Sequence, residues 1–148
     1  MGHPRPHILL VEDHPLLVQV MTRFLQEQGN MVLWGSVATA TAALDELAAA
    51  ASGEPGLPDI VIVDVSLPGM SGIDLVKELG ELYPDLPCLI VSAHSDISYV
   101  RQAISNGAQG YVAKGDPMAI LEAVHTVLDG GRYFSSDLDD ISQDSAPP

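Results

Sequence analysis

The sequence has 148 residues, 47% of them hydrophobic, which suits one globular domain with a single packed core. Twenty acidic side chains against six basic ones give a formal charge of −14, which argues against nucleic-acid binding by this chain, because phosphate contacts need clustered Lys and Arg. No apolar run is long enough to span a bilayer and the first residues do not resemble a signal peptide, so we expect a cytoplasmic protein that is not bound to a membrane.

Residues 1–6 are expected to be a loose N-terminal tail. After them, short apolar runs typical of strands alternate with segments whose apolar residues recur at helical spacing. Strands are predicted over residues 7–11, 31–34, 60–64, 88–92 and 110–114. The helices between and after them are predicted to begin at Asp13 or His14, at Thr39, at Ser71, at Ser95 or Asp96, and at Asp116. Residues 135–148 are acidic and serine-rich, so they are expected to form a linker or a disordered tail after a domain spanning 7–134.

Alternating strands and helices predict an α/β protein in which helices cover both faces of a parallel sheet. Right-handed crossovers favour a doubly wound (βα)5 arrangement with strand order 2-1-3-4-5, which is a flavodoxin-like three-layer sandwich. The apolar run from Ile60 to Val63 is typical of a central strand buried on both faces, and it ends on Asp64.

The ends of the predicted strands carry the residues that indicate a function. Strands 1 and 3 are neighbours in the order 2-1-3-4-5, so Glu12, Asp13 and Asp64 should meet at the carboxyl edge of the sheet. Three carboxylates in one crevice repel one another, which favours a bound cation. Ligands that are all oxygen suit Mg²⁺, with Mn²⁺ as the alternative.

The next two strands end on Ser92 and Lys114, whose hydroxyl and ammonium could neutralise the oxygens of a phosphoryl group during its transfer to Asp64. Each residue alone has an ordinary explanation. Ser92 could bond only to backbone, Lys114 could be a solvated charge, and Glu12 and Asp13 could be helix caps. The five together, on consecutive strand ends of this order, favour a phosphoryl-transfer site with Asp64 as the nucleophile.

These residues resemble the receiver domain of two-component response regulators. The acidic pair of that family matches Glu12-Asp13 within residues 9–15, its phosphoacceptor matches Asp64 within 59–64, and the loop 67–72 follows. The switch hydroxyl of the family matches Ser92, its switch aromatic matches Tyr111, and its lysine matches Lys114. The resemblance covers roughly Ile8 to Tyr133.

The resemblance implies that Asp13, Asp64 and the backbone carbonyl of Ser66 hold Mg²⁺, with Glu12 acting mainly through water. A histidine kinase or a phosphotransfer protein would donate the phosphoryl group. Ser92 would then move toward the phosphate and Tyr111 would swing inward, which would alter the surface formed by the fourth helix, fifth strand and fifth helix. The family supports its own phosphotransfer and dephosphorylation and signals through protein contacts, so we do not expect an enzyme with an external substrate.

Residues 108–111 and 130–133 are similar to the NarL/LuxR-type subfamily, whose members usually continue into a helix-turn-helix DNA-binding domain. The expected function is therefore the phosphorylated receiver of a transcription regulator whose output domain is absent from this sequence. A stand-alone receiver acting through protein contacts is the alternative, and homodimer formation is left open. Gly115 departs from the family pattern, since many receivers have proline after the lysine.

Two rival functions share part of this pattern. Haloacid-dehalogenase-type phosphatases also use a strand-end Asp with Mg²⁺, but they carry a second Asp two residues later, where this chain has Ser66. A pseudo-receiver that is never phosphorylated would normally have lost part of the acidic cluster, whereas all five positions are filled here. His94, two residues beyond Ser92, is hypothesised to influence water access to the phosphate.

Overall fold

The computed structural model describes residues 5–53, 56–93 and 97–134. The strands are β1 His7–Val11, β2 Val32–Val37, β3 Ile60–Asp64, β4 Cys88–Ser92, β5 Gly110–Ala113 and β6 Tyr133–Phe134. The helices are α1 Pro15–Gly29, α2 Ala40–Ala51, α3 Gly72–Leu82, α4 Ile97–Ser105 and α5 Pro117–Leu128. His94, the expected helix start at Ser95 or Asp96, and the expected tail 135–148 lie outside the described residues, as do 1–4 of the N-terminal tail.

All strands form one parallel sheet with the order β2-β1-β3-β4-β5-β6. The predicted order 2-1-3-4-5 is confirmed, and β6 adds a short strand at the outer edge of β5. The fold is therefore the expected flavodoxin-like α/β fold. Among the described residues, no helix combines the length and the apolar character needed to cross a lipid bilayer.

Strand side chains alternate between two hydrophobic layers, which explains why the central strands read as unbroken apolar runs. Leu9, Val61 and Ile90 face a layer closed by α2, α3 and α4. Their chain neighbours Leu10 and Ile62 face the opposite layer, closed by α1 and α5. Because both faces of β1 and β3 are buried, these strands are held rigidly, and the residues that follow them are held in place at one edge of the sheet.

Two strand ends differ from those predicted, and the start of α1 is one of its two predicted candidates. The sequence predicts that the second strand closes at Gly35, but β2 runs on to Val37, because its outer half pairs with Leu9–Val11 after an irregularity in register. The fifth strand ends at Ala113, and Lys114 begins the turn that follows. Of the two candidates for the start of α1, His14 is the N-cap residue, with Pro15 in the first turn.

Candidate phosphoryl-transfer site at the carboxyl edge of the sheet

The carboxyl ends of β1 and β3 bring three carboxylates together. Oxygen atoms of Glu12, Asp13 and Asp64 all lie within 4.8 Å of one another. Glu12 and Asp64 are each only 4% exposed, whereas Asp13 is exposed. The cluster therefore has two buried members and one that faces solvent, an arrangement that suits a site approached from outside.

The ammonium of Lys114 joins the two buried carboxylates. Its Nζ atom lies 2.9 Å from Oδ2 of Asp64 and 3.2 Å from Oε1 of Glu12. The backbone of Lys114 is fixed as well, since its N–H donates to the carbonyl of Ser92 at 2.9 Å. The strand-end lysine therefore reaches across β4 to the acidic cluster.

The electrostatics of the site show in two shifted pKa values. Burial raises the pKa of Glu12, and the negative charge of Asp64 raises it further, against the opposing effect of Lys114. For Lys114, burial lowers the pKa, but the hydrogen bonds and charges of Asp64 and Glu12 outweigh that effect and leave the pKa above its ordinary value. Lys114 thus stays protonated at neutral pH and supplies a positive charge beside Asp64.

The loop after β3 fixes the orientation of the Asp64 carboxylate. The backbone N–H of Ser66 donates to Oδ1 of Asp64 at 3.1 Å, while Lys114 occupies Oδ2. The loop is closed by Gly72, whose N–H donates to the carbonyl of Val65 at 3.0 Å. Ser71 caps α3 by accepting from the Asp74 N–H at 3.1 Å, as the sequence predicts.

Gly72 is a site residue whose role the sequence pattern alone does not reveal. A Cβ atom at this position would collide with the backbone carbonyl of Asp64 and would lie 2.8 Å from Cγ1 of Val63. The start of α3 can therefore approach the end of β3 only because residue 72 has no side chain. The sequence shows a glycine directly after the helix cap Ser71, but the closeness of this glycine to Asp64 depends on the tertiary fold.

Ser92 and Tyr111 occupy the ends of the neighbouring strands. Ser92 is the last residue of β4 and is fully buried, in register with Ala113. Tyr111 is also fully buried and lies in register with Ile90 on one side and Phe134 on the other. The fold brings Glu12, Asp13, Asp64 and Lys114 together, with Ser92 on the adjacent strand end.

The donor set fits a hard divalent cation. Carboxylate oxygens that converge within 4.8 Å are the ligands that Mg²⁺ binds in proteins, with waters completing its coordination. The backbone of Ser66 lies beside the same carboxylate, since its N–H contacts Oδ1 of Asp64. The exposure of Asp13 leaves a side from which a hydrated ion could enter.

Comparison with known proteins shows the family to which this fold belongs. Residues 8–125 match the family described as response regulator receiver domain. The transcriptional activator protein ExaE of Pseudomonas putida is 36% identical over 132 residues, which cover 88% of this chain and 59% of that protein.

Two solved structures are also similar. A two-component response regulator of the LuxR family from Aurantimonas sp. SI85-9A1 has a TM-score of 0.85 and 27% identity over 95% of this chain and 98% of that one. The signal receiver domain of a NarL response regulator from Mycobacterium tuberculosis has a TM-score of 0.77 and 27% identity, over 86% of this chain and 99% of that one. The chain spans 59% and 60% of the length of the first two curated relatives it matches.

Proposed function

This chain belongs to the response regulator receiver family, and from that premise we propose that it accepts a phosphoryl group on Asp64 in a Mg²⁺-dependent transfer. The observation that carries the proposal is the position of Lys114, whose ammonium contacts both Asp64 and Glu12. A cation at this point can stabilise negative charge that builds up on a phosphoryl group beside Asp64. The donor would be a phosphohistidine of a histidine kinase or of a phosphotransfer protein.

The chemical step is a displacement at phosphorus. A carboxylate oxygen of Asp64 forms a bond to phosphorus while the bond from phosphorus to the donor nitrogen breaks, and the imidazole of the donor leaves with the electron pair. The N–H of Ser66 holds Oδ1 and the ammonium of Lys114 holds Oδ2, so the carboxylate is oriented before the donor arrives. Lys114 can then move its contact from Asp64 to an oxygen of the transferred group.

Asp13, Asp64 and the backbone carbonyl of Ser66 would hold Mg²⁺, with Glu12 acting through water. When bound, the ion supplies positive charge that screens the carboxylates from the incoming phosphoryl oxygens. Mn²⁺ is the alternative ion, because it accepts the same oxygen ligands.

Ser92 and Tyr111 are the proposed switch residues. Ser92 ends the strand between those of Asp64 and Lys114, so a short movement of its hydroxyl would bring it toward a phosphoryl oxygen. Tyr111 lies in β5, and Lys114 directly follows the last residue of that strand, so a movement of β5 would be felt at both residues. Tyr111 is fully buried, and the family resemblance associates an inward position of this aromatic ring with the phosphorylated form.

We propose that residues 7–134 form the receiver unit and that it controls transcription through a DNA-binding domain elsewhere in the whole protein, in the cytoplasm. The support is the relative ExaE, which is named a transcriptional activator and is longer than the matched region. A stand-alone receiver acting through protein contacts is the second candidate. Dimer formation, if it accompanies phosphorylation, would use a second copy of this chain.

Incubation with acetyl phosphate and Mg²⁺, followed by intact mass measurement, tests the proposal. We expect the mass of one phosphoryl group to be added with Mg²⁺ and not with EDTA in its place. An unchanged mass in the presence of Mg²⁺ would favour the pseudo-receiver alternative. Steady release of product from a phosphate ester would instead favour the phosphatase alternative.

A further inference from the structure

The outer edge of β5 is occupied by a short segment of the same chain. Strand β6 pairs with it in parallel, with Gly110 opposite Tyr133 and Tyr111 opposite Phe134. The pairing is anchored at its start, where the N–H of Tyr133 donates to the carbonyl of Gln109 at 2.9 Å. An edge strand offers a row of unpaired backbone groups, and β6 satisfies part of that row.

Side chains and a turn hold β6 in this place. The hydroxyl of Tyr133 donates to Glu122 on α5 at 3.1 Å, and the guanidinium of Arg132 lies 5.6 Å from the centre of the Phe134 ring. The N–H of Gly131 donates to the carbonyl of Thr126 at 2.9 Å, which turns the chain back from the end of α5 toward the sheet. Phe134 is consequently only 8% exposed.

The edge itself is shaped for this segment. A Cβ atom at Gly110 would lie 2.7 Å from the carbonyl oxygen of Tyr133 and 2.6 Å from Cδ1 of Leu89. Any side chain at position 110 would therefore force β6 away from β5 or displace the core beneath it. The close approach of the two strands depends on glycine at that point.

Phe134 is also a packing partner of the proposed switch residue. Register partners on neighbouring parallel strands point to the same face of a sheet, and Tyr111 and Phe134 belong to the same hydrophobic layer. Tyr111 is fully buried there, and Phe134 is the last residue of the layer toward the sheet edge. Removing Phe134 would uncover that edge, so the docked β6 favours the inward position of Tyr111.

The same strand connects this contact with the acidic cluster. Tyr111 lies three residues before Lys114, and the ammonium of Lys114 contacts Asp64 at 2.9 Å. The path from Asp64 to β6 therefore consists of one ion pair, one short strand and one pair of register partners. Because few contacts lie between them, a structural change at Asp64 or at β6 should alter the other.

We propose that the outer edge of β5 is a docking surface for the chain's own segment Arg132–Phe134, and that phosphorylation of Asp64 tightens this docking through Tyr111. The inference rests on the proposed function. If β6 favours the inward Tyr111, and phosphorylation favours the inward Tyr111, then linkage requires phosphorylation and β6 docking to favour each other. The position of β6, the segment at the end of the receiver unit, would then differ between the phosphorylated and unphosphorylated forms.

Hydrogen exchange on the full chain tests the proposal. The exchange rate of the Tyr133 amide, which donates to Gln109, is measured with Mg²⁺ alone and with Mg²⁺ plus acetyl phosphate, and the intact mass of each sample is recorded. We expect phosphorylation to slow exchange at this amide about fivefold or more, the lower end of usual allosteric coupling. Exchange that is unchanged or faster in a sample carrying the added phosphoryl mass would overturn the inference and leave the proposed function standing. A sample without added mass would overturn both.

A variant pair tests the reverse direction by equilibrium binding of beryllofluoride with Mg²⁺. Phe134→Ala should weaken the apparent affinity about fivefold or more, since the inward Tyr111 loses its packing partner. Leu82→Ala is the control and should bind like the wild type, because Leu82 is 54% exposed at the end of α3 and none of the contacts that hold β6 involves it. Equal affinities for wild type and a Phe134→Ala variant with native circular dichroism would contradict the coupling. If the variant does not fold, hydrogen exchange on the wild type still supports or overturns the coupling.

Discussion

The ammonium of Lys114 lies 2.9 Å from a carboxylate oxygen of Asp64, although strand β4 separates their two strands in the sheet. The lysine side chain therefore spans the edge of β4 and joins the second buried carboxylate, Glu12, on the far side. This single contact ties three strand ends into one site. It also makes the stability of the site depend on one positive charge.

Lys114→Met should destabilise the protein in the absence of divalent cations. The side chains of Glu12 and Asp64 are 3% and 4% exposed, and they would lose the cation that offsets their burial. Loss of one partner of a buried ion pair costs about 3–5 kcal/mol, and the partial exposure of Lys114 favours the lower end, about 3 kcal/mol. Urea unfolding measures the difference, with the exposed Lys77→Met as the control.

The pH dependence of that difference has a definite sign. The pKa of Lys114 is raised in the folded protein, so its contribution is fully present below the ordinary lysine pKa of 10.5 and is lost as pH rises through the folded value. The gap between wild type and Lys114→Met should therefore persist at neutral pH and narrow only above about pH 10.5. A gap that closes between pH 7 and 9 would contradict the assigned contacts.

Asp13→Asn should separate metal binding from folding. Asp13 is exposed and lies beside Glu12 and Asp64, so its neutralisation should leave the stability of the metal-free protein unchanged or raise it, because one of three repelling charges is removed. In the wild type, Mg²⁺ at a hundred times its Kd should stabilise the fold by about 2.7 kcal/mol through mass action, and the variant should lose most of this gain. Thermal unfolding with and without Mg²⁺ is the measurement. Asp45→Asn, an equal charge change on the exposed side of α2, should respond like the wild type.

Gly72→Ala should damage both the fold and the site. The added methyl group would collide with the backbone carbonyl of Asp64, so either α3 or the end of β3 must move. Overpacking of this kind costs about 1–3 kcal/mol, and a displaced Asp64 should also accept less phosphoryl group from acetyl phosphate. Gly80→Ala on the same helix is the control, because its Cβ would meet a neighbouring atom only at 3.9 Å. Equal phosphorylation of both variants would show that the close approach is not needed for the site.

Cys88 should be unreactive in the native protein. Its side chain is 3% exposed, and burial raises the pKa of the thiol to about 12, so little thiolate forms at neutral pH. Iodoacetamide should modify it only after denaturation in urea. Rapid labelling of the native protein would mean that β4 opens more readily than its buried position suggests.

The position of Asp64 and the strand order could be predicted because both depend on strong local patterns. The apolar run before Asp64 marks a strand buried on both faces, and alternating strands and helices leave few topologies. The strand order 2-1-3-4-5 makes strands 1 and 3 neighbours, and this predicts that Glu12, Asp13 and Asp64 lie close together. The reach of Lys114 to two carboxylates at once could not be predicted, since it depends on side-chain conformation across a third strand.

The sequence alone could not predict strand β6 or the role of Gly72, because both depend on contacts between distant parts of the chain. β6 has two residues, too few to show a period, and it is held by contacts with Gln109, Glu122 and the core. The conflict at Gly72 arises between the start of α3 and the end of β3, so only the three-dimensional approach of the two elements reveals it. The extension of β2 to Val37 likewise depends on its pairing with β1.

The most direct test of the account is to locate the phosphoryl group. Wild type, Asp64→Asn and the control Asp45→Asn are incubated with acetyl phosphate and Mg²⁺ under identical conditions, and their intact masses are compared. The account predicts the mass of one added phosphoryl group in the wild type and in Asp45→Asn, and none in Asp64→Asn. The same addition in Asp64→Asn, or none in the wild type, would contradict the assignment of Asp64 as the phosphoryl acceptor.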